Sequence, residues 1–407
     1  MAKLALLGGT PVRTKSFNYL PDFDNAEIDA VNKVMNTRIL SGFHSNYRKG
    51  GPKIMEFEDN FAKFHQMKYA VAFNSGTSAL HAALVALGIG EQDEVIVPSY
   101  TFTASASSIL MCNATPIFCD VGRDTFNINT NNLESLITDK TKVILAVHLV
   151  GNPCDMTSIQ RIASKYNLKV LEDCAQSPGA KVNNNFVGTI GDISAFSFVE
   201  TKNMVTGEGG MVLTNDENYD NICRLVRSHG EILVEKGRSY LSQILGWNYR
   251  MTEIEAAIGI EQLKKLDYLN SYRIKNSDLL EKNINFDGLK PVKVLENTSS
   301  VKHVAAFTYD EQKMGVSRDL FLKALNAEGI NADKGYPHPL YMNPIFLNHR
   351  SGRYKEGLNP ISEDLCYKSA IWSRRIMYPN TSEDMHDIVE GFSKVIENID
   401  ELKSLKD

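Results

Sequence analysis

Seven short apolar runs alternate with helix-like segments between about residue 70 and residue 213. Several of the runs are apolar throughout rather than alternating with polar residues, which is typical of strands buried on both faces. The pattern therefore predicts an α/β fold whose mostly parallel, seven-stranded sheet is covered by helices. The predicted strands are Tyr69–Phe73, Glu94–Val97, Pro116–Cys119, Val143–Val147, Lys169–Leu171, Ser194–Phe198 and Gly210–Leu213.

Helical spacing of apolar residues appears in three further places. Ser78–Leu87 predicts a helix directly after the first strand, and Glu253–Leu266 predicts another. Charge density rises towards the end of the second helix, so that it can continue through Lys264–Leu280 and lead away from the first domain. Ser382–Leu402 predicts a terminal helix with one solvated face.

A chain of 407 residues is too long for one typical core. We therefore predict an N-terminal arm at residues 1–21, a large cofactor-binding domain at 22–265 and a smaller C-terminal α+β domain at 266–407.

Composition narrows the range of partners and compartments. The chain is 43% hydrophobic and 23% charged, with a formal net charge of −5 and no long basic run, so neither nucleic acid nor an anionic membrane is expected as a partner. The apolar start is too short for a secretory signal, and no run has the length of a membrane span. Six scattered cysteines form no Cys-x-x-Cys pair, which predicts buried thiols, no metal site and a cytoplasmic location.

The most informative chemistry lies at the ends of two predicted strands. The apolar run Val170-Leu-Glu-Asp173 ends in a carboxylate. The strand Ser194–Phe198 leads into a turn that carries Lys202. Pyridoxal phosphate chemistry needs such a pair, because the amine forms a Schiff base with the cofactor and the carboxylate keeps the pyridine nitrogen protonated. Each residue alone has an ordinary alternative: roughly nine in ten lysines are surface charges, and an acid after a strand can cap a helix.

Residues suited to a phosphate group follow the first strand and precede the lysine. Asn74-Ser-Gly76-Thr77 opens a predicted helix, where glycine permits close approach and free amides favour an anion. Ser197 could donate its hydroxyl to the same phosphate. The alternative for the first segment is an ordinary capped turn. The chain contains neither Gly-x-Gly-x-x-Gly nor a Walker-type motif, which disfavours a nicotinamide oxidoreductase.

Three further residues suit the remaining parts of a flat cofactor. Phe102 could stack on the ring, and the amide of Gln176 could hydrogen-bond its hydroxyl group. Asn248 lies near the start of the predicted helix at Glu253, for which Thr252 is a predicted N-cap in a capping box with Glu255. Each has an ordinary alternative, in the core for the phenylalanine and at a solvated helix start for the asparagine.

Taken together, these segments resemble the DegT/DnrJ/EryC1/StrS family of aminotransferases, and they occur in the family's order over most of residues 38–265. The matching stretches are Gly51-Pro-Lys-Ile-Met-Glu-Phe-Glu, Asn74-Ser-Gly-Thr-Ser-Ala-Leu, Gly88-Ile-Gly, Asp93-Glu-Val-Ile-Val-Pro-Ser-Tyr-Thr-Phe, His148-Leu-Val-Gly-Asn-Pro-Cys-Asp-Met, Glu172-Asp-Cys-Ala-Gln, Thr201-Lys-Asn and Tyr249-Arg-Met-Thr-Glu.

The resemblance implies the aspartate-aminotransferase-like fold (fold type I) and a role for each matching residue. Lys202 matches the Schiff-base lysine, Asp173 the acid at the pyridine nitrogen and Gln176 its neighbour at the ring hydroxyl. Phe102 matches the aromatic residue that stacks on the ring. The residues that match phosphate contacts are Gly76, Thr77 and Ser197. Asn248 matches a phosphate contact supplied by the partner subunit, which implies a homodimer.

The implied activity is transfer of an amino group from glutamate or glutamine to a ketone on a nucleotide-linked sugar or cyclitol, with pyridoxamine phosphate as intermediate. Val199 and Glu200 depart from the family's usual residues beside the lysine, so the substrate stays open. The alternatives are dehydration or aromatisation with the same cofactor, and a cofactor-binding regulator without turnover. Candidate substrate contacts, each with a structural alternative, are Arg250, His148, His338, Tyr341, Arg374 and Arg375.

Overall fold

The computed structural model describes residues 3–43, 49–232 and 240–405. Its strands are β1 (Tyr69–Phe73), β2 (Glu94–Pro98), β3 (Thr115–Cys119), β4 (Thr141–Val147), β5 (Lys169–Asp173), β6 (Lys181–Val182), β7 (Asn185–Phe186), β8 (Ile193–Ser197), β9 (Gly210–Thr214), β10 (Leu289–Pro291), β11 (Thr298–Ser299), β12 (Ala305–Tyr309) and β13 (Ala370–Ser373). Its α-helices are α1 (Asn25–Thr37), α2 (Pro52–Phe64), α3 (Gly76–Ala86), α4 (Thr103–Met111), α5 (Thr130–Leu136), α6 (Met156–Tyr166), α7 (Glu217–Arg227), α8 (Glu253–Asn283), α9 (Glu311–Met314), α10 (Arg318–Ala327), α11 (Pro344–Leu347), α12 (Pro360–Asp364), α13 (Ser382–Glu397) and α14 (Ile399–Leu402).

The seven predicted strands form one sheet in the order β1-β9-β8-β5-β4-β2-β3. The run β3-β2-β4-β5-β8 is parallel throughout, and β9 is antiparallel to both of its neighbours. This arrangement confirms the predicted fold class, a mostly parallel seven-stranded sheet. The carboxyl ends of β5 and β8 consequently lie side by side, and these two strands lead to the predicted cofactor residues.

Both faces of the sheet are buried, as the unbroken apolar runs predict. Along β1, Val71 and Phe73 belong to one apolar cluster, whereas Ala70 and Ala72 belong to the other. This alternation follows from the period of two along a strand. The first cluster includes residues of α3 and the second includes residues of α2, so that helices cover both faces.

The helix α8 is longer than any other described element. It begins at Glu253, where Thr252 and Glu255 form the predicted capping box, and it continues without a break to Asn283. It therefore passes residue 265, where we divide the large from the small domain, and that division stays a prediction. The outermost residues of the predicted arm and small domain, 1–2 and 406–407, lie outside the described residues.

The C-terminal part contains a second, three-stranded antiparallel sheet in the order β10-β12-β13. Its apolar cluster joins Phe307 of β12 to Phe321 of α10 and Phe392 of α13. The predicted terminal helix is interrupted at Asn398, which separates α13 from α14. The side-chain amide of Asn398 donates to the carbonyl of Lys394 at 2.7 Å, and such local bonding competes with helix continuation.

Two expectations from composition concern the chain as a whole. In the described ranges, no helix combines the length and the apolar character needed to cross a bilayer. All six cysteines are buried free thiols, as their apolar surroundings predict.

Candidate active site

Several of the predicted site residues lie where strands of the large sheet end. Asp173 is the last residue of β5 and pairs in register with Ala195 of β8, two residues before Ser197. Gly76 begins α3, and a Cβ atom built on it would lie 2.8 Å from Cβ of Ser197. The sheet therefore brings the acid, the serine and the glycine to one edge, where ligands bind in open α/β sheets.

Lys202 follows β8 by five residues and has an altered acidity. Its amine is surrounded by protein, although the residue as a whole keeps partial exposure. Burial lowers the pKa of Lys202 to about 8, Asp173 opposes the shift, and the positive charge of Arg374 adds to it. The amine is therefore neutral far more often near neutral pH than an ordinary lysine, whose pKa is about 10.4.

Asp173 is buried and fixed by two hydrogen bonds. Its Oδ2 accepts from the hydroxyl of Ser105 at 2.8 Å, and its Oδ1 accepts from the amide of Ala175 at 3.1 Å. Burial raises the pKa of Asp173, while these two bonds and the charge of Lys202 act in the opposite direction. A nearby cation, such as a protonated pyridine nitrogen, would stabilise the ionised carboxylate further.

The turn that carries Lys202 is held by α8 through Asn203. The side-chain nitrogen Nδ2 of Asn203 donates to Oδ1 of Asn270 at 2.9 Å and to the carbonyl of Val301 at 3.2 Å. Its Oδ1 therefore faces Nδ1 of His303 at 3.1 Å, and this imidazole nitrogen must be the donor. The network fixes the backbone next to the reactive amine.

Arg273 of α8 holds the same turn from behind. Its Nη2 donates to the carbonyl of Lys202 at 3.4 Å, and its Nη1 donates to the carbonyl of His303 at 3.0 Å. Burial lowers the pKa of Arg273 to about 10. Within the described residues no carboxylate pairs with it. Asn203, Arg273 and His303 were not predictable as site residues, because no local motif marks a contact between segments so far apart along the chain.

The start of α3 has the features of a phosphate cradle. Ser75 caps the helix by accepting from the amide of Ser78 at 3.1 Å, whereas the amides of Gly76 and Thr77 meet no acceptor among the described residues. The hydroxyl of the adjacent Ser197 likewise meets none there. Unbonded amides at a helix N-terminus beside a free hydroxyl fit the phosphate of pyridoxal phosphate.

Glycine is required on the opposite side of this cradle. A Cβ atom built on Gly210, the first residue of β9, would lie 2.3 Å from the carbonyl oxygen of Ser75. The backbone of β9 therefore passes directly against the turn before α3. This close approach explains one member of the glycine cluster that follows Lys202.

Three further predicted site residues are Gln176, Phe102 and Asn248. Oε1 of Gln176 accepts from the amide of Val150 at 2.7 Å, which orients its amide nitrogen towards the hydroxyl of Tyr336 at 3.2 Å. Phe102 precedes α4, the helix whose Ser105 binds Asp173, and is 56% exposed. The exposed side chain of Asn248 makes no hydrogen bond within the described residues, while its carbonyl accepts from Asn74 at 3.4 Å.

Two candidate substrate contacts are instead parts of the interior. His148 is fully buried, accepts from the amide of Cys154 through Nδ1 and donates through Nε2 to Glu172 at 3.0 Å. Tyr341 is also fully buried, and its hydroxyl lies 2.6 Å from Glu363. The structure favours the structural alternative for both. Arg374, by contrast, is partly exposed, and its charge lowers the pKa of Lys202.

The chain is similar to proteins of one family over nearly its whole length. The model of the DegT/DnrJ/EryC1/StrS aminotransferase family matches residues 21–393. GDP-perosamine synthase of Escherichia coli O157:H7 is 37% identical over 86% of this chain and 90% of its own length. L-glutamine:2-deoxy-scyllo-inosose aminotransferase of Streptomyces paromomycinus is 31% identical over 97% of each chain.

A solved structure has the same architecture. The aminotransferase from Psychrobacter cryohalolentis matches with a TM-score of 0.86 and 33% identity, over 94% of this chain and all of that one. Its similarity agrees with fold type I. The chain belongs to the DegT/DnrJ/EryC1/StrS family and is an aminotransferase of fold type I.

Proposed function

We propose that the protein uses pyridoxal phosphate to move an amino group from glutamate or glutamine to a ketone of a nucleotide-linked sugar or cyclitol. The observation that carries the proposal is the pair formed by Lys202, whose pKa is lowered to about 8, and the buried Asp173. When bound, the cofactor supplies an electron sink that makes the substrate C–H bond acidic. The chain's own residues supply attachment, orientation and proton transfer.

The site's geometry and the family resemblance support the cofactor contacts that we propose. The amides of Gly76 and Thr77, with the hydroxyl of Ser197, would hold the phosphate. The carboxylate of Asp173, which Ser105 and Ala175 fix in place, would keep a positive charge on the ring nitrogen. Phe102 would lie against one face of the ring, and Gln176 would hydrogen-bond the ring hydroxyl group.

Lys202 would serve as the point of attachment for the cofactor and as a general acid and base. A pKa of about 8 leaves a useful fraction of the amine neutral near pH 7, and it still permits reprotonation. Once free, the amine of Lys202 would carry a proton to and from the substrate carbon. Asn203 and Arg273 keep the amine in range by fixing the turn that bears it.

The choice of substrates rests on the similar proteins and the family. One relative is named for perosamine bound to GDP, and another for L-glutamine and 2-deoxy-scyllo-inosose. These names support a nucleotide-linked sugar or a cyclitol as acceptor, and glutamine or glutamate as donor. Pyridoxamine phosphate is the cofactor form that links the two half-reactions.

We further propose a homodimer in which Asn248 reaches the phosphate of the partner's site. Its side chain is exposed, while its neighbours Trp247 and Tyr249 stack on each other with centroids 5.8 Å apart. Tyr249 also contacts Nδ1 of His81 through its hydroxyl at 3.1 Å. The flanking rings thus anchor the segment and leave Asn248 to point outward. A cytoplasmic location stays a prediction from the sequence.

The half-reaction tests this proposal without knowledge of the ketone. The purified protein is mixed with pyridoxal phosphate, and its visible absorption is recorded before and after addition of glutamate or glutamine. Loss of the visible band with one of these donors, and formation of the pyridoxamine form, is the expected result. A band that neither donor changes would contradict the proposed donor, and a protein that binds no cofactor would contradict the whole scheme.

A further inference from the structure

Arg374 follows the last residue of β13 and is connected to the proposed cofactor site by packed rings. Its Cζ atom lies 4.8 Å from the ring centroid of Trp372. Trp372 packs edge-on against Tyr336 at 5.1 Å, and the hydroxyl of Tyr336 accepts from Gln176 at 3.2 Å. Since Gln176 is the residue proposed at the cofactor's hydroxyl group, Arg374 stands at the rim of the same site.

The segment that follows Arg374 lies close to Lys202. Met377 and Tyr378, which follow Arg374 closely, line one small cavity together with Lys202. Burial lowers the pKa of Lys202, Asp173 raises it, and the positive charge of Arg374 lowers it further. The cavity beside it and the effect of its charge together place the guanidinium on the same side of the site as the amine of Lys202.

One edge of the Arg374 guanidinium is held and the other is free. Its Nε donates to Oδ2 of Asp333 at 2.8 Å, and its Nη2 lies 3.4 Å from Oδ1 of the same carboxylate. Within the described part of the chain, Nη1 meets no acceptor. The side chain is 42% exposed. Because a guanidinium has five N–H donors, the edge facing away from Asp333 remains available and is already oriented.

Positive charge exceeds negative charge around this edge. The neighbouring Arg375 has a buried Nε that meets no acceptor in the residues described. Burial, and then the charge of Arg374, lower the pKa of Arg375. Of the described carboxylates, only Asp333 forms an ion pair with one of these two arginines, and its partner is Arg374. Two cations beside a single carboxylate favour a further anion.

We propose that Arg374 binds a carboxylate or phosphate group of a substrate through the edge that faces away from Asp333. Both groups present two oxygens that match the guanidinium fork. Within the proposed function, on which this inference rests, the amino donor can supply the carboxylate and a nucleotide-linked ketone can supply the phosphate. Arg374 thus selects an anionic reactant for the amine of Lys202.

Calorimetric titration of the holoenzyme with two unreactive anions tests the assignment. Succinate is a dicarboxylate without an amine, and GDP carries a diphosphate without a ketone. The Arg374→Gln variant should bind one of them about 10- to 100-fold more weakly, as expected for loss of charge-assisted hydrogen bonds. A loss confined to succinate identifies the donor's carboxylate, and a loss confined to GDP identifies the ketone's phosphate. Equal affinities in wild type and variant, or no binding of either anion to wild type, overturn the proposal.

A matched control and a second readout separate binding from folding. Arg123→Gln removes another arginine that is paired with an aspartate, Asp364 at 2.5 Å, and is 49% exposed. It should leave both affinities unchanged. Arg374→Lys, which keeps the charge without the fork, should lie between wild type and Arg374→Gln.

The second readout uses the cofactor-free protein. Arg374→Gln should raise the pKa of Lys202 above about 8, measured as the pH dependence of its acylation by mass spectrometry. An unchanged pKa would place Arg374 too far from Lys202 for the proposed role. None of these measurements requires turnover. An inactive wild type that binds either anion through Arg374 would therefore refute the proposed function alone.

Discussion

At the scale of single residues, the reactivity of Lys202 is set by its enclosure and by two charges of opposite sign. Burial and Arg374 favour the neutral amine, and Asp173 favours the charged one. In the cofactor-free protein, acylation of Lys202 should therefore rise with pH through about 8, well below the value of about 10.4 for an ordinary lysine. Peptide mass spectrometry across a pH series measures this directly.

The sign of the effect of Asp173 provides the control. Asp173→Asn removes the negative charge that stabilises the ammonium form, so the pKa of Lys202 should fall further. A pKa that stays the same or rises in this variant would show that the two side chains are not coupled in the way the structure indicates.

The positions of Lys202 and Asp173 were predictable because the lysine follows a recognisable apolar strand and the aspartate ends one. The sequence could not predict Asn203, Arg273 or His303, which meet only when α8 crosses behind the lysine. It also could not separate Arg374 from the buried His148. Polar residues of both kinds look alike in a sequence, and only burial and hydrogen-bond partners distinguish them.

At the scale of elements, the approach of α3 to β8 forms the proposed phosphate cradle. A Cβ atom on Gly76 would lie 2.8 Å from Cβ and 3.2 Å from Oγ of Ser197. Gly76→Ala should therefore widen the cradle and weaken cofactor binding by about 10-fold or more, as expected for the loss of a charge-assisted hydrogen bond. Cofactor titration of the apoprotein, followed by absorbance, gives the dissociation constant.

Gly90→Ala is the matched control for this variant. A Cβ atom at Gly90 would meet nothing within 4 Å, so cofactor affinity should stay at the wild-type value. Equal affinity in both alanine variants would mean that the Gly76–Ser197 contact does not shape the phosphate site.

The start of α2 is capped by a residue from the start of α8. Glu253, the first residue of α8, accepts from the amides of Lys53 and Ile54 at 2.9 Å each and so caps another helix. Glu253→Ala should reduce the free energy of unfolding by about 1–2 kcal/mol, measured by urea denaturation. Glu261→Ala, which removes a partly exposed ion pair with Lys264, should cost less than about 0.5 kcal/mol. Similar losses in both variants would contradict the capping role.

The elements themselves were predictable where the apolar pattern was long and regular. All seven strands of the large sheet and the capping box at Thr252 follow from the sequence. The cap that Glu253 provides to α2 does not, because it joins residues from distant parts of the chain. The break at Asn398 also escaped prediction, since the apolar spacing continues across it.

At the scale of the whole molecule, the proposed homodimer makes each site depend on two subunits. In a mixture of Lys202→Ala and Asn248→Ala proteins, a mixed dimer would contain one site with both changes and one intact site. Random exchange should then restore about a quarter of wild-type turnover, whereas each variant alone is impaired. Mixing that restores nothing would mean that Asn248 serves the site of its own subunit, or none.

The central claim is that Lys202 is the residue that carries the cofactor. Borohydride reduction of the purified holoenzyme fixes the linkage between lysine and cofactor, and digestion with mass spectrometry then locates the pyridoxyl group. The account predicts this group on the peptide that contains Lys202, and its loss in Lys202→Ala together with all amino transfer. A pyridoxyl group on another lysine, or wild-type turnover in Lys202→Ala, would contradict it.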